Sequence, residues 1–355
     1  MSEVNNINQD RVSKISTPRL FYIDNLRVLA CFLVLLTHST MPTDNPAQDG
    51  KWMALISLIG TPSSELFLAL SGTVLLPVKT GFRKFYLRRF KKLVPPLVVW
   101  SILGILLYTQ THGMTWSTAI DKILHIPVAP AIGVYWFVYA MAGLYLLAPF
   151  ISPWLKNASR KQLEFFICLW LINMTIPWIQ FFYPGFIPGF STDGNYYWIL
   201  CYFGGFLGYW LLGYYLNRYP IDLTFNRRLI VIISLSLIYP LGVLYLSSEG
   251  IPQEEIAGNL QIGSAAWVAL LYTFLYNIKF SSKLQKLLTG IARYSFGIYL
   301  THIYIARELY WGIFDGSHIH IFPRTFIIAL LTLITGYILA RLLTKAPGGK
   351  YITGA

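Results

Sequence analysis

The chain is built from apolar runs long enough to cross a bilayer, near 21–40, 52–77, 94–110, 133–153, 163–183, 196–216, 229–247, 259–278, 289–312 and 322–343. About 20 apolar residues in a helix match the roughly 30 Å hydrocarbon layer. Inside that layer each backbone N–H and C=O must find a partner within the protein, so only helices and closed barrels span it. The runs here are continuous and do not alternate with a period of two, which excludes a barrel. The expected fold class is therefore all-α: a polytopic integral membrane helical bundle of about ten transmembrane helices. Only 12% of the residues are charged, against about a quarter in a soluble domain.

Charge sets the threading. The net charge of +13 does not indicate nucleic acid, because the basic residues gather in alternate loops. They lie before residue 20, in the seven basic positions from Lys79 to Lys92, around Arg160, Arg218 and Lys283, and after Arg341. The opposite loops hold only Lys51, Lys122, Arg307 and Arg324, with acidic residues such as Asp44 and Glu254 beside them. Basic loops stay in the cytoplasm, so both termini are expected there, with the basic segments meeting anionic membrane lipids. The division is then a polar cytoplasmic tail at 1–20, a transmembrane domain at 21–345 and a short cytoplasmic tail at 346–355. The first residues carry no apolar signal region, so the first helix is expected to direct its own insertion. Cys31, Cys168 and Cys201 sit inside apolar runs at unrelated spacings. They read as small buried residues with no disulfide framework and no metal site.

Within the first run, YIDNLRVLACFLVLLTHST, Arg27 and His38 are eleven residues apart. Eleven helical steps make three turns plus about 20°, so the two share a face and are separated by a rise of roughly 16 Å. Asp24 falls on the same stripe, at the cytoplasmic end. Ionisable groups at membrane depth cost several kcal/mol, so the stripe marks chemistry along a membrane-crossing path. A packing role for His38 and an Arg27–Asp24 pair are the plain alternatives.

Four further segments stand out. SSELFLALSGTVLL carries Glu65 near mid-membrane, where a carboxylate calls for a buried cationic partner, and Ser71 and Gly72, small enough for close helix approach. FYLRRFKKLVPPL is a basic loop before a Pro-Pro pair, whose charge serves topology and attraction to anionic lipids. YWFVYAMAGLYLLAPF opens the fourth run with Trp136. ARYSFGIYLTH ends in His302, which fits either helix packing or chemistry. There is no phosphate-binding Walker loop, dinucleotide fingerprint, nucleophile elbow or zinc spacing.

With these motifs in this order from residue 22 to 302, the chain resembles the membrane-bound acyltransferase-3 family, which O-acylates bacterial glycans and related molecules. The YIDNLR opening is most similar to the branch that acetylates enterobacterial common antigen. The resemblance implies a multi-pass protein of the bacterial inner membrane that moves an acyl group, acetyl by default, from cytoplasmic acyl-CoA to a hydroxyl of a cell-envelope glycan or lipid-linked sugar. It implies no permanently bound cofactor, with acetyl-CoA as donor substrate. His38 would be the base or a transient acyl carrier, for which imidazole is suited. Arg27 would orient the donor. Arg89 and Lys92 match a paired-arginine motif by their distance to Pro95, with lysine replacing the second arginine, and Arg88 adds charge beside them. Asp24, Glu65, Ser71, Trp136 and His302 would support the substrates. Val134 stands where many relatives carry histidine. The loops are short and the chain ends soon after the last run, so the acceptor is expected to come to the helices themselves. Competing readings are a small-molecule transporter with the Asp24, Arg27 and His38 stripe as its path, and a non-catalytic subunit of an envelope assembly.

The threading is open to direct test. Single cysteines replacing Asp44 and Glu254 should react in intact cells with a membrane-impermeant thiol reagent, above the background of the native cysteines. Labelling of Arg83→Cys in the same cells would invert the orientation.

Overall fold

A computed structural model describes residues 20–42, 46–183, 185, 199–221, 224, 226–227, 229–230, 233–234, 241–245, 258–276 and 278–354. The tail before residue 20, the loop at 248–257 and most of the run near 229–247 lie outside the described residues. All regular structure among the described residues is helical, and none of it is strand. The helices are α1 (Phe21–His38), α2 (Pro46–Gly60), α3 (Ser63–Leu75), α4 (Phe82–Thr111), α5 (Trp116–His125), α6 (Trp136–Asn157), α7 (Arg160–Phe182), α8 (Leu207–Arg218), α9 (Ile262–Tyr276), α10 (Ser282–Tyr304), which continues as a π-helical stretch over Ile305–Trp311, and α11 (Ile321–Lys345). A last turn, α12 (Lys350–Thr353), follows.

Among the described residues, five segments are long and apolar enough to cross a membrane: Phe21–His38, Asp49–Leu75, Phe82–Thr111, Gly133–Asn157 and Ile321–Lys345. Their surfaces fit a lipid solvent. On α11, Ile327, Leu330, Ile334, Ile338 and Leu342 are exposed, a three-to-four-residue spacing that draws one apolar stripe facing outward. Phe165, Cys168 and Ile172 form a similar exposed face on α7. Cys168 is thus not the buried residue the sequence suggested, because its helix turns that face away from the bundle.

Two segments depart from the sequence expectation. The run near 52–77 is two helices: Pro62 lacks the N–H to continue α2, and its carbonyl instead accepts from the Leu66 N–H at 2.9 Å to start α3. Gly60 ends α2 against α1, where a Cβ would lie 1.9 Å from the Thr37 hydroxyl. The basic segment before the Pro-Pro pair is not a loop. From Phe82 it is the first part of α4, and Pro95 and Pro96 lie inside that helix. Helix α5, on the side opposite the basic segments, was not expected. It starts at Thr115, whose side chain accepts from the Thr118 N–H at 3.3 Å.

Helix α1 is central, packing against α2, α3, α9, α10 and α11. Its pairing with α10 has a fixed register. The Thr289 hydroxyl donates to Asp24 at 3.0 Å, Gln285 Nε2 donates to Asn25 Oδ1 at 2.9 Å, the Cys31 thiol approaches the Ser295 carbonyl at 4.0 Å, and the rings of His38 and His302 stand 5.3 Å apart. Sequence number rises along both helices at a nearly constant offset, so the two run parallel. That agrees with their places as first and ninth runs.

The tightest pair is α3 with α8. A Cβ on Gly72 would lie 2.0 Å from the Trp210 carbonyl oxygen, and one on Gly213 would lie 1.9 Å from that of Ala69. Each glycine admits the other helix's backbone, as small residues do in membranes. Around this contact the Thr73 hydroxyl bonds the Gly213 carbonyl at 2.9 Å and meets Tyr272 at 2.9 Å, while the Tyr22 hydroxyl donates to Asn217 at 2.5 Å. These bonds join α3, α8, α9 and α1. Gly213→Ala should therefore cost about 1–3 kcal/mol from overpacking, read as a lower thermal midpoint in detergent. Gly143→Ala, with nothing within 4 Å of its new methyl, should not. Equal midpoints would contradict the close approach.

A cationic cavity beneath a histidine pair

At the end of the bundle that carries the basic segments, α1, α3, α4, α6 and α10 enclose a cavity of about 630 Å³. Its charged lining is Arg27 from α1, Arg89 and Lys92 from α4, and Arg293 from α10. Among the described residues, no carboxylate lines it. Four cationic side chains converging on one cavity form a site suited to a polyanion.

Local structure explains which basic residues enter. Arg89 and Lys92 are three apart on α4 and share a face. Arg88 is exposed and does not line the cavity, while Lys91 points to the Tyr351 ring, 5.3 Å from its centroid. Arg89 lies over Phe85, 5.9 Å from the ring centre, and its Nε is buried with no partner among the described residues. A buried guanidinium donor left unbonded is costly, and an anion in the cavity would satisfy it. On α10, Arg293 stands at the level of Arg27, as the register of the two helices requires.

Above the cations the lining turns aromatic. Phe67 and Phe137 are 6.0 Å apart, and Phe137 and Tyr299 are 5.7 Å apart in an edge-to-face contact. Tyr299 is held by a bond from its hydroxyl to the Val134 carbonyl. One turn further along α10, His302 stacks obliquely on Tyr299 at 5.6 Å and reaches His38. His302 is fully buried. Its Nδ1–H donates to the Tyr299 carbonyl, an oxygen that can only accept, which leaves the lone pair on Nε2. Nε2 has no partner among the described residues. His38, half-buried at the end of α1, thus faces a second imidazole whose tautomer the backbone sets. Beyond it, Trp311 Nε1 donates to the Ser39 carbonyl at 3.2 Å, anchoring the π-helical stretch to the end of α1.

The sequence-derived residues therefore separate into groups. Arg27, Arg89, Lys92 and Ser71 meet in the cavity. His38 and His302 meet each other beyond its aromatic end. The others lie apart from the cavity: Asp24 holds Thr289, and Trp136 packs against Phe206 at 5.3 Å. Glu65 is fully buried at the start of α3, where Oε2 accepts from the Ser64 hydroxyl at 3.0 Å and Oε1 has no partner among the described residues. Reasoning from sequence missed Arg293, Tyr145, Tyr299 and Gly354, all of which line the cavity. Arg293 and Tyr299 stand inside the ARYSFGIYLTH segment, but only the α1–α10 register brings them to the site.

A family model described as an acyltransferase domain, of the acyltransferase-3 type, matches residues 20–341. No curated protein and no solved structure matches the chain. The matched span contains the four cations and both histidines.

Arg293→Gln and Arg89→Gln should each weaken binding of a polyphosphate anion, tested with inorganic triphosphate, to the purified protein by about tenfold or more, the scale of one charge-assisted contact to phosphate, with the loss larger at low salt. Arg88→Gln, outside the cavity, should have little effect. Equal losses for all three would reduce the cavity to a diffuse positive field.

Proposed function

Since the chain belongs to the acyltransferase-3 family, a family of membrane acyltransferases, we propose that it is an O-acyltransferase drawing its acyl group from acyl-CoA on the cytoplasmic side, with acetyl as the first donor to test. One observation supports this reading above the others: a cation-lined cavity, with no carboxylate among its described lining residues, ends in an aromatic collar, and the His38–His302 pair stands beyond that collar against Tyr299. The phosphates of the donor would sit among Arg27, Arg89, Lys92 and Arg293. The pantetheine arm would extend along the collar, since the rise from Arg27 to His38 is roughly 16 Å. The apolar walls suit a thioester, which carries no charge and must be kept from water.

In this arrangement His38 takes the proton of the acceptor hydroxyl as its oxygen attacks the thioester carbonyl. The carbon–sulfur bond breaks, an ester forms, and the proton passes from His38 to the departing thiolate. His302, with Nδ1 tied to the Tyr299 carbonyl, positions the His38 ring and needs no proton of its own for the transfer. The acceptor reaches His38 from the outer side, where α1 ends. A glycan or lipid-linked sugar of the cell envelope is the proposed acceptor class, in a bacterial inner membrane, and the YIDNLR opening makes the enterobacterial common antigen type the first to try.

His38→Ala should lower acyl transfer by a hundredfold or more, the usual scale of losing a general base, with the protein still inserted and its thermal midpoint close to that of the unaltered chain. His302→Ala should lower the maximal rate without changing the donor concentration needed for half-maximal rate. Activity of His38→Ala within a few-fold of the unaltered protein would remove the histidine from the chemistry.

A further inference from the structure

Residues after α11 do not trail away from the bundle. At Gly349 the chain turns sharply: a Cβ there would lie 1.7 Å from the Leu343 carbonyl oxygen. The turn α12 then lies back across α4, α10 and α11. Three anchors hold it. Trp100 Nε1 on α4 donates to the Ile352 carbonyl at 3.0 Å, the Thr353 and Thr344 hydroxyls meet at 2.9 Å, and Lys91 lies over the Tyr351 ring. Thr353 is 1% exposed. Gly297 on α10 makes room for it, since a Cβ there would lie 3.4 Å from the Thr353 side chain.

The next residue, Gly354, lines the cavity. It has φ +67°, a left-handed conformation that favours glycine, and its N–H closes the turn on the Lys350 carbonyl at 3.0 Å. A Cβ on it would lie 2.5 Å from the Phe296 ring and 3.0 Å from the Lys92 carbonyl oxygen. Gly354 is therefore wedged between the two helices that bring Lys92 and Arg293 to the cavity rim.

We propose that residues 349–354 are a clasp of the donor site, fixing the separation of α4 and α10 at the cavity rim and so determining how well the phosphate end of the donor is held. This rests on the reading of the cavity as an acyl-CoA site. The anchors Trp100, Thr344 and Lys91 touch neither histidine, so loosening them should act on donor binding and leave the chemical step alone.

Gly354→Ala must either push Phe296 into the cavity or lift the clasp. Trp100→Phe keeps the ring but removes the bond to Ile352, and carries the test if the glycine variant does not fold. Each variant in the full chain should bind coenzyme A five- to twenty-fold more weakly. Each should raise the acetyl-CoA concentration for half-maximal rate by a similar factor, with the maximal rate and the acceptor requirement within twofold. Suppose the unaltered protein binds coenzyme A and Arg89→Gln weakens it, while both clasp variants bind as the unaltered protein does. The donor site then stands and the clasp is overturned. A fall in maximal rate with donor affinity intact would overturn it as well. If the unaltered protein does not bind coenzyme A at all, the donor site falls and the clasp with it.

Discussion

The parallel pairing of α1 with α10 is the constraint on which the site depends. Asp24 with Thr289, Asn25 with Gln285, Cys31 with Ser295 and His38 with His302 are contacts of one register. A one-residue slip would turn each partner by about 100° and separate the histidines. The polar bonds at the end that carries the basic segments are therefore part of the machinery at the other end. Asp24, which lies outside the cavity, contributes by holding this register. Hydrogen bonds between membrane helices typically contribute about 0.6–2 kcal/mol each, so several in one register define a single alignment where a lone contact would not.

That register also explains the division of labour along the path. Cations sit where the helices meet the basic end, supplied by α1, α4 and α10. Aromatic rings follow, and imidazoles come last. The order matches a long donor molecule with charge at one end and a reactive, uncharged thioester at the other. The buried Nε of Arg89, which has no partner among the described residues, is the donor that an anion in the cavity would satisfy. The clasp at Gly354 closes the same cavity from a segment remote from the chemistry.

Much of this was legible in the residues. The apolar runs announced a helical membrane protein, and the eleven-residue spacing placed Arg27 and His38 on one helix face. The family resemblance paired Arg89 with Lys92 by their distance to Pro95, and Ser71-Gly72 foretold the close approach of α3. Other features were not legible because they arise from packing. Nothing in the local pattern around Lys79–Lys92 distinguishes a basic loop from a basic helix, since positive charge at a membrane surface serves both. Arg293 read as one more cytoplasmic charge until α10 was set beside α1. Cys168, read as buried and found exposed, shows the same limit. Burial in a bundle depends on which way a helix is turned, and an apolar run in a membrane has no solvent-facing polar stripe to reveal it.

The central claim is that a thioester presented from the cytoplasmic face is opened at His38. Sealed vesicles holding the protein in one orientation, with an acceptor glycan on both sides of the membrane and labelled acetyl-CoA on the outside only, test it most directly. Inside-out vesicles should release free coenzyme A and transfer label to the glycan. Right-side-out vesicles, and inside-out vesicles carrying His38→Ala, should do neither. Intact acetyl-CoA in every case, as a transporter would leave it, or equal release with and without His38, would contradict the account.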